Sequence, residues 1–237
     1  MNIINIGNKF INSYLIPIGD DYVLVDTGGK NSFDKFLARL QEKNIPLTKI
    51  KYVFLTHVHS DHAGFLRQLL NKSKATLIYN DKGKARLEAG KNNLNVYVSS
   101  LTNLIASYIS TAFVDTTQRF PSVKTDNYIN FSEQPLKEYD IEFIELAGHT
   151  SSDVGLKIGD KFFCGDVCMN GIGSNKRFPA WCENKFELIK SWEKIINDAD
   201  IVTIYPGHGK PFAKDDLKKY LPYWKEHGVI ALFRKKR

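Results

Sequence analysis

The stretch Thr56-His57-Val58-His59-Ser60-Asp61-His62-Ala63-Gly64 places three histidines and an aspartate within six positions, in a chain of 237 residues with only six histidines. Imidazole and carboxylate donors at this density suit zinc, iron or manganese, and a catalytic centre built from them keeps one coordination position open for water. In an extended segment alternate side chains share a face, so His57 and His59 point the same way. Asp61 and His62 fall where the chain changes direction and can face a neighbouring point. The pattern thus supplies two donors to each of two metals.

Three later residues share this setting. His149 lies in Gly148-His149-Thr150, Asp166 follows Phe162-Phe163-Cys164-Gly165, and His208 lies in Pro206-Gly207-His208-Gly209. With His149 added to the first pair, His208 to the second and Asp166 between them, the set forms a site for two metals roughly 3.5–4 Å apart. Such ions bring the pKa of a bridging water near neutrality, so hydroxide can attack a carbonyl or phosphoryl group that one metal polarises. Asp61 is the candidate catalytic proton handler for the leaving group.

Each of these residues sits at the end of an apolar, β-branched or aromatic run, the signature of a buried strand. Strands are expected at 2–7, 12–17, 22–26, 51–55, 75–79, 128–132, 141–147, 154–158, 161–164 and 201–205. Helices are expected after a Ser32 cap through Phe33, Phe36, Leu37 and Leu40, over 63–72, 82–89 and 101–114, and through Phe186, Ile189, Trp192, Ile195 and Ile196. A last helix carries Leu217, Tyr220, Leu221 and Trp224, with Pro222 expected to kink it or split it in two. No repeat or linker interrupts the chain, which reads as one domain over 1–237. The mixed segment at 81–127 reads as a lid or an insertion.

A hydrophobic content of 43% and a charged content of 25% are those of a globular protein. The N-terminus lacks the pattern of a signal peptide, and no apolar run approaches the ~20 residues of a membrane span. Cys164, Cys168 and Cys182 therefore read as free thiols of a cytoplasmic protein, with Cys168 a small buried thiol rather than a metal ligand. The net charge of +7 is scattered except at Arg234-Lys235-Lys236-Arg237. No basic strip interleaved with aromatics is present, which disfavours nucleic acid as a partner against a small molecule.

In these motifs the chain resembles the metallo-β-lactamase-fold hydrolase superfamily, whose hallmark is an H-x-H-x-D-H loop. Asn12–Ile16, Asp26-Thr27-Gly28, Thr56–Gly64, Gly148-His149-Thr150, Gly165-Asp166 and Pro206–Gly209 match its motifs in order. The resemblance implies an α+β fold, a four-layer αββα sandwich of two mixed sheets, with a binuclear site at one edge. It implies that His57, His59 and His149 bind one metal, that Asp61, His62 and His208 bind the other, and that Asp166 bridges. Asp26 matches a position that orients ligands from behind. Two divalent metals are implied, zinc before iron or manganese.

The implied activity is hydrolysis of a small ester, thioester or lactone. A phosphodiesterase or nuclease, or a metal-binding protein without turnover, are the alternatives. His59 stands where flavo-diiron relatives carry glutamate, which disfavours an oxygen-reducing role. Ser151-Ser152-Asp153 replaces the Gly-His pair that many lactonase and glyoxalase relatives place after this loop. Between Asp166 and the helix near 184, Asn170, Lys176, Arg177 and Trp181 are candidate substrate contacts, the two cations suited to a carboxylate or phosphate.

Overall fold

A computed structural model describes residues 2–93, 96–102 and 119–232. Its strands are β1 (Ile4–Asn5), β2 (Tyr14–Ile18), β3 (Asp21–Val25), β4 (Ile50–Phe54), β5 (Thr76–Tyr79), β6 (Val96–Val98), β7 (Tyr128–Asn130), β8 (Ile141–Glu145), β9 (Val154–Ile158), β10 (Lys161–Gly165), β11 (Trp181–Cys182), β12 (Thr203–Pro206), β13 (Phe212–Ala213) and β14 (Ile230–Leu232). The main helices are α1 (Phe33–Glu42), α2 (Leu66–Ser73), α3 (Lys84–Ala89), α4 (Lys185–Asn197) and α5 (Asp215–Glu226).

Both large sheets are mixed. The first runs β1-β2-β3-β4-β5-β7, antiparallel up to β3 and parallel beyond it. The second runs β13-β12-β10-β9-β8, in which only β10 and β12 are parallel neighbours. The two-residue connections Gly19-Asp20 and Gly159-Asp160 set the registers of the β2–β3 and β9–β10 hairpins.

The period of two along each strand divides the apolar residues between two faces. Ile16, Val23, Val25, Phe54 and Ile78 of the first sheet meet Ile141, Phe143, Val154, Leu156 and Phe163 of the second, forming the central layer between sheets. The alternate residues Leu15, Leu24, Val53 and Leu77 face outward onto Phe33, Phe36, Leu40, Phe65 and Leu69 of the α1–α2 side. On the opposite side Phe162, Cys164 and Ile204 pack on Leu188, Trp192 and Ile195 of α4 and on Leu217 and Trp224 of α5. The expected four-layer αββα sandwich is present. Each fully buried large apolar side chain contributes about 1.5–3 kcal/mol of transfer free energy.

One local expectation is narrowed and another corrected. Pro222 lies inside a continuous α5 rather than dividing it. It is exposed, so the Lys218 carbonyl left without its N–H partner lies on the wet face. On α4, Phe186 is 75% exposed and the buried stripe is Leu188, Trp192 and Ile195. Asn184 caps that helix by accepting from the Phe186 and Glu187 amides, which places Phe186 in the first turn, short of the packed face.

A small third sheet, β11-β6-β14, was not expected from the sequence. It joins the 81–127 segment to the stretch after Asp166. The helix expected at 101–114 lies largely outside the described residues, and so does the test of a lid. Among the described residues no helix is long and apolar enough to cross a membrane.

Candidate metal centre

β3 and β4 run parallel, so their C-terminal ends share one edge of the first sheet. β8 and β10 are each antiparallel to β9, and β10 is parallel to β12, so these three also end at one edge of the second sheet. The chain leaves these ends as Asp26, Thr56–His62, His149, Asp166 and His208. Across the edge the Val154 amide donates to the Thr56 carbonyl at 2.8 Å and the Asn12 amide to the Gly207 carbonyl at 2.8 Å, tying the loops of the two sheets together.

Two donor clusters result: His57, His59 and His149 in one, and Asp61, His62, Asp166 and His208 in the other. His59 Nδ1 lies 3.1 Å from both His57 Nε2 and His149 Nε2. His208 Nε2 lies 3.2 Å from Asp61 Oδ2 and 3.3 Å from Asp166 Oδ2. The same Asp166 oxygen is 3.7 Å from His149 Nε2, and Asp166 Oδ1 is 3.5 Å from His62 Nε2. Asp166 therefore belongs to the second cluster and approaches the first through His149.

The rings are oriented from behind. His62 Nδ1 donates to Asp26 Oδ2 at 2.8 Å, His149 Nδ1 to the Trp181 carbonyl at 2.9 Å and His208 Nδ1 to the Phe10 carbonyl at 2.7 Å. Thr56 Oγ1 gives its proton to Asp26 Oδ2 at 2.8 Å and so accepts from His57 Nδ1 at 3.0 Å. Each of these contacts fixes the tautomer that leaves Nε2 with a lone pair toward the centre.

Charge divides the two clusters. Burial and the neighbouring rings hold His57 and His59 well below the usual imidazole range. For His62 burial acts the same way, but Asp166, Asp26 and Asp61 outweigh it and hold the ring well above that range. His208, opposed by burial and favoured by Asp166 and Asp61, rises to about 10. Against the effect of burial, His62 and His208 keep both Asp61 and Asp166 well below the carboxylate range. Without a metal, Asp61 and Asp166 thus favour positive charge on His62 and His208. The cluster is built for positive charge.

Two atoms test whether divalent metals fit. His62 Nε2 and Asp166 Oδ1 are buried with no hydrogen-bond partner. Buried polar atoms left unsatisfied are costly, and orphans facing each other inside a donor cluster have the chemistry of ligands. The residues fit.

The Lactamase_B family, described as the metallo-beta-lactamase superfamily, matches residues 6–208. The chain belongs to that superfamily. A Methanocaldococcus jannaschii protein named "Probable metallo-hydrolase" is 28% identical over 84% of this chain and 87% of its own length. A hydroxyacylglutathione hydrolase of Actinobacillus pleuropneumoniae is 24% identical over 82% of this chain, which spans only 64% of that enzyme. An archaeal superfamily protein from Sulfolobus tokodaii shares the fold, with a TM-score of 0.64 at 19% identity over 94% of this chain and 84% of its own.

The four candidate substrate contacts have different surroundings. Asn170 donates its amide to the His208 carbonyl at 3.0 Å. Lys176 Nζ lies 4.9 Å above the Tyr223 ring, and Arg177 pairs with Asp216 at 2.6 Å. Trp181 is 42% exposed beside His149. Cys168 is buried outside both clusters, its Sγ 3.2 Å from Cys164 Sγ.

Sequence reasoning missed the residues that brace the site. Asn12 Nδ2 donates to the Pro206 and Gly209 carbonyls, and Tyr14 Oη donates to Pro206 at 3.0 Å. Glu183 accepts from Arg86 and the Ser151 amide, and its own amide donates to the Gly148 and His149 carbonyls. No spacing could have announced contacts made across the fold.

Proposed function

We propose that the chain is a hydrolase that holds two divalent cations, zinc before iron or manganese, and cleaves a small ester, thioester or lactone with an apolar acyl part. His57, His59 and His149 would hold one cation, Asp61, His62 and His208 the other, with Asp166 shared. When bound, such cations supply hydroxide at neutral pH and polarise the bond to be cleaved. The observation that carries the reading is the convergence of seven donors around the two unsatisfied atoms, His62 Nε2 and Asp166 Oδ1.

The chain's own residues supply the rest. Asp26, Thr56 and the Trp181 and Phe10 carbonyls hold the four rings behind them in one tautomer. The Asp61 side chain is 37% exposed and, being an ionised carboxylate, would have to take a proton from the attacking water before relaying it to a departing alkoxide or thiolate.

The surroundings support an uncharged substrate. Phe10, whose carbonyl holds His208, is 54% exposed, and Trp181, whose carbonyl holds His149, is 42% exposed. Lys176 and Arg177 are engaged by other side chains, which weighs against a phosphate or nucleic-acid partner. The three free cysteines are buried and suit a reducing, cytoplasmic setting.

The test has two parts. Metal analysis of the purified protein is expected to find two first-row metals per chain. A panel of aryl esters, thioesters, lactones and bis-aryl phosphates is expected to show carboxyl-ester turnover that His57→Ala abolishes. Turnover undiminished in that variant, or a protein that takes up none of the three metals, overturns the reading.

A further inference from the structure

Arg177 carries a suitable charge for a substrate anion, yet each of its guanidinium nitrogens is bound within the protein. Nε and Nη2 donate to Asp216 Oδ2 at 2.9 and 2.6 Å, and Nη1 donates to Asn170 Oδ1. The guanidinium also lies over the Phe212 ring, 4.6 Å from its centroid. Its backbone adopts a left-handed φ of 67°, and its carbonyl accepts from the Met169 amide at 2.8 Å. A non-glycine residue in that conformation is held there by its surroundings.

The other end of this chain of contacts is a metal-ligand loop. Asn170 donates its amide to the His208 carbonyl at 3.0 Å and its side chain to the Lys210 carbonyl at 2.9 Å. It pairs in parallel with Gly209, where a Cβ would come within 2.1 Å of the Asn170 carbonyl oxygen. On the opposite side Asn12 and the Phe10 carbonyl grip the same turn. The His208 side chain is 17% exposed, against 0% for His62 and 2% for His149, so close packing does less to hold it.

We propose that Arg177 is a positioning residue for the second metal. It orients the Asn170 carboxamide, and through it the turn that carries His208. Asp216, in the first turn of α5, anchors the guanidinium and so ties the ligand loop to a helix of the outer layer. The planar fork is what the role requires, since it reaches Asp216 and Asn170 at once, whereas a lysine ammonium in its place would be a point charge on a flexible stem. This inference rests on the two-metal reading above.

The experiment titrates metal-free protein with zinc against a chelator, and with cobalt(II) read by visible absorption, resolving the two equivalents. Arg177→Lys is expected to weaken one of the two equivalents, the one that His208 ligates, at least ten-fold, the usual loss when a partner orienting a ligand is removed, and to leave the other unchanged. Asn170→Ala is expected to behave alike, and it is the variant read if Arg177→Lys does not fold. Asp216→Glu, which keeps the ion pair, is expected to retain that equivalent. Two full-affinity equivalents in both Arg177→Lys and Asn170→Ala would overturn the role, as would equal weakening of both equivalents, the mark of a general structural effect. A wild type that takes up fewer than two metals would overturn the two-metal reading itself, a result separate from any variant.

Discussion

The Asp26 carboxylate meets the His62 ring 36 residues away, accepting its Nδ1–H at 2.8 Å in a fully buried setting. The same carboxylate accepts the Thr56 amide and hydroxyl, each at 2.8 Å, so one side chain orients two consecutive parts of the metal loop. Asp26 reaches this position from a left-handed φ of 57° at the end of β3.

Asp26→Ala takes the acceptor from three buried donors, the Thr56 amide, the Thr56 hydroxyl and the His62 ring nitrogen. The expected cost is about 3 kcal/mol of stability or more. Metal affinity is expected to fall about 10–100-fold, the range seen when a partner behind a ligand is lost. Urea unfolding and competitive metal titration measure the two effects. Wild-type affinity in a folded variant would mean that His62 needs no support from behind.

Gly207 approaches the centre more closely than a side chain allows. A Cβ there would stand 2.4 Å from Asp166 Oδ1 and 2.6 Å from His62 Cε1. Gly207→Ala is therefore expected to displace the Asp166 carboxylate while leaving both sheets intact. A shift of about 1 Å at a reacting centre costs on the order of a hundred-fold in rate. The expected outcome is a native circular dichroism spectrum with turnover reduced by at least that factor. Full activity would show that the loop relaxes around the added methyl group.

Asp153 is buried under the His149 turn and accepts the Thr150 amide at 2.9 and 3.0 Å. Burial outweighs these bonds and the nearby His149, raising its pKa from 3.8 to about 6. The folded state then binds this proton more tightly than the unfolded chain. Its contribution to stability is present at low pH and is lost as pH rises through about 4 to 6. Two units correspond to roughly 3 kcal/mol. In metal-free protein, the unfolding free energy of the wild type relative to Asp153→Asn is expected to fall by about that amount between pH 4 and 7. A difference that stays flat with pH would refute the shift.

What could be read from local pattern was read correctly where the signal is itself local. Strand alternation and helical spacing located the two sheets, short of the two-residue edge strand β13, and the helices that cover them, because burial selects residue types at a period set by backbone geometry. Phe186 and Pro222 mark where that logic weakens. An apolar residue in a helix's first turn need not reach the packed face, and a proline facing solvent leaves its orphan carbonyl to water. The strands β6, β11 and β14 are too short to carry a period at all.

The seven donors of the candidate centre could be singled out in the sequence by itself, because four fall within six positions and the other three sit beside glycines at strand ends. Their convergence was decided by the tertiary structure, since strand direction, not spacing, brings the ends of β4, β8, β10 and β12 to one edge. The fold also decided what surrounds them. Asn12, Asn170 and Glu183 hold the ligand loops through contacts with no sequence signature, and Arg177 is drawn from solvent onto Asp216 and Asn170. A side chain's residue type limits the bonds it can make, and only the packed neighbours select which of those bonds form.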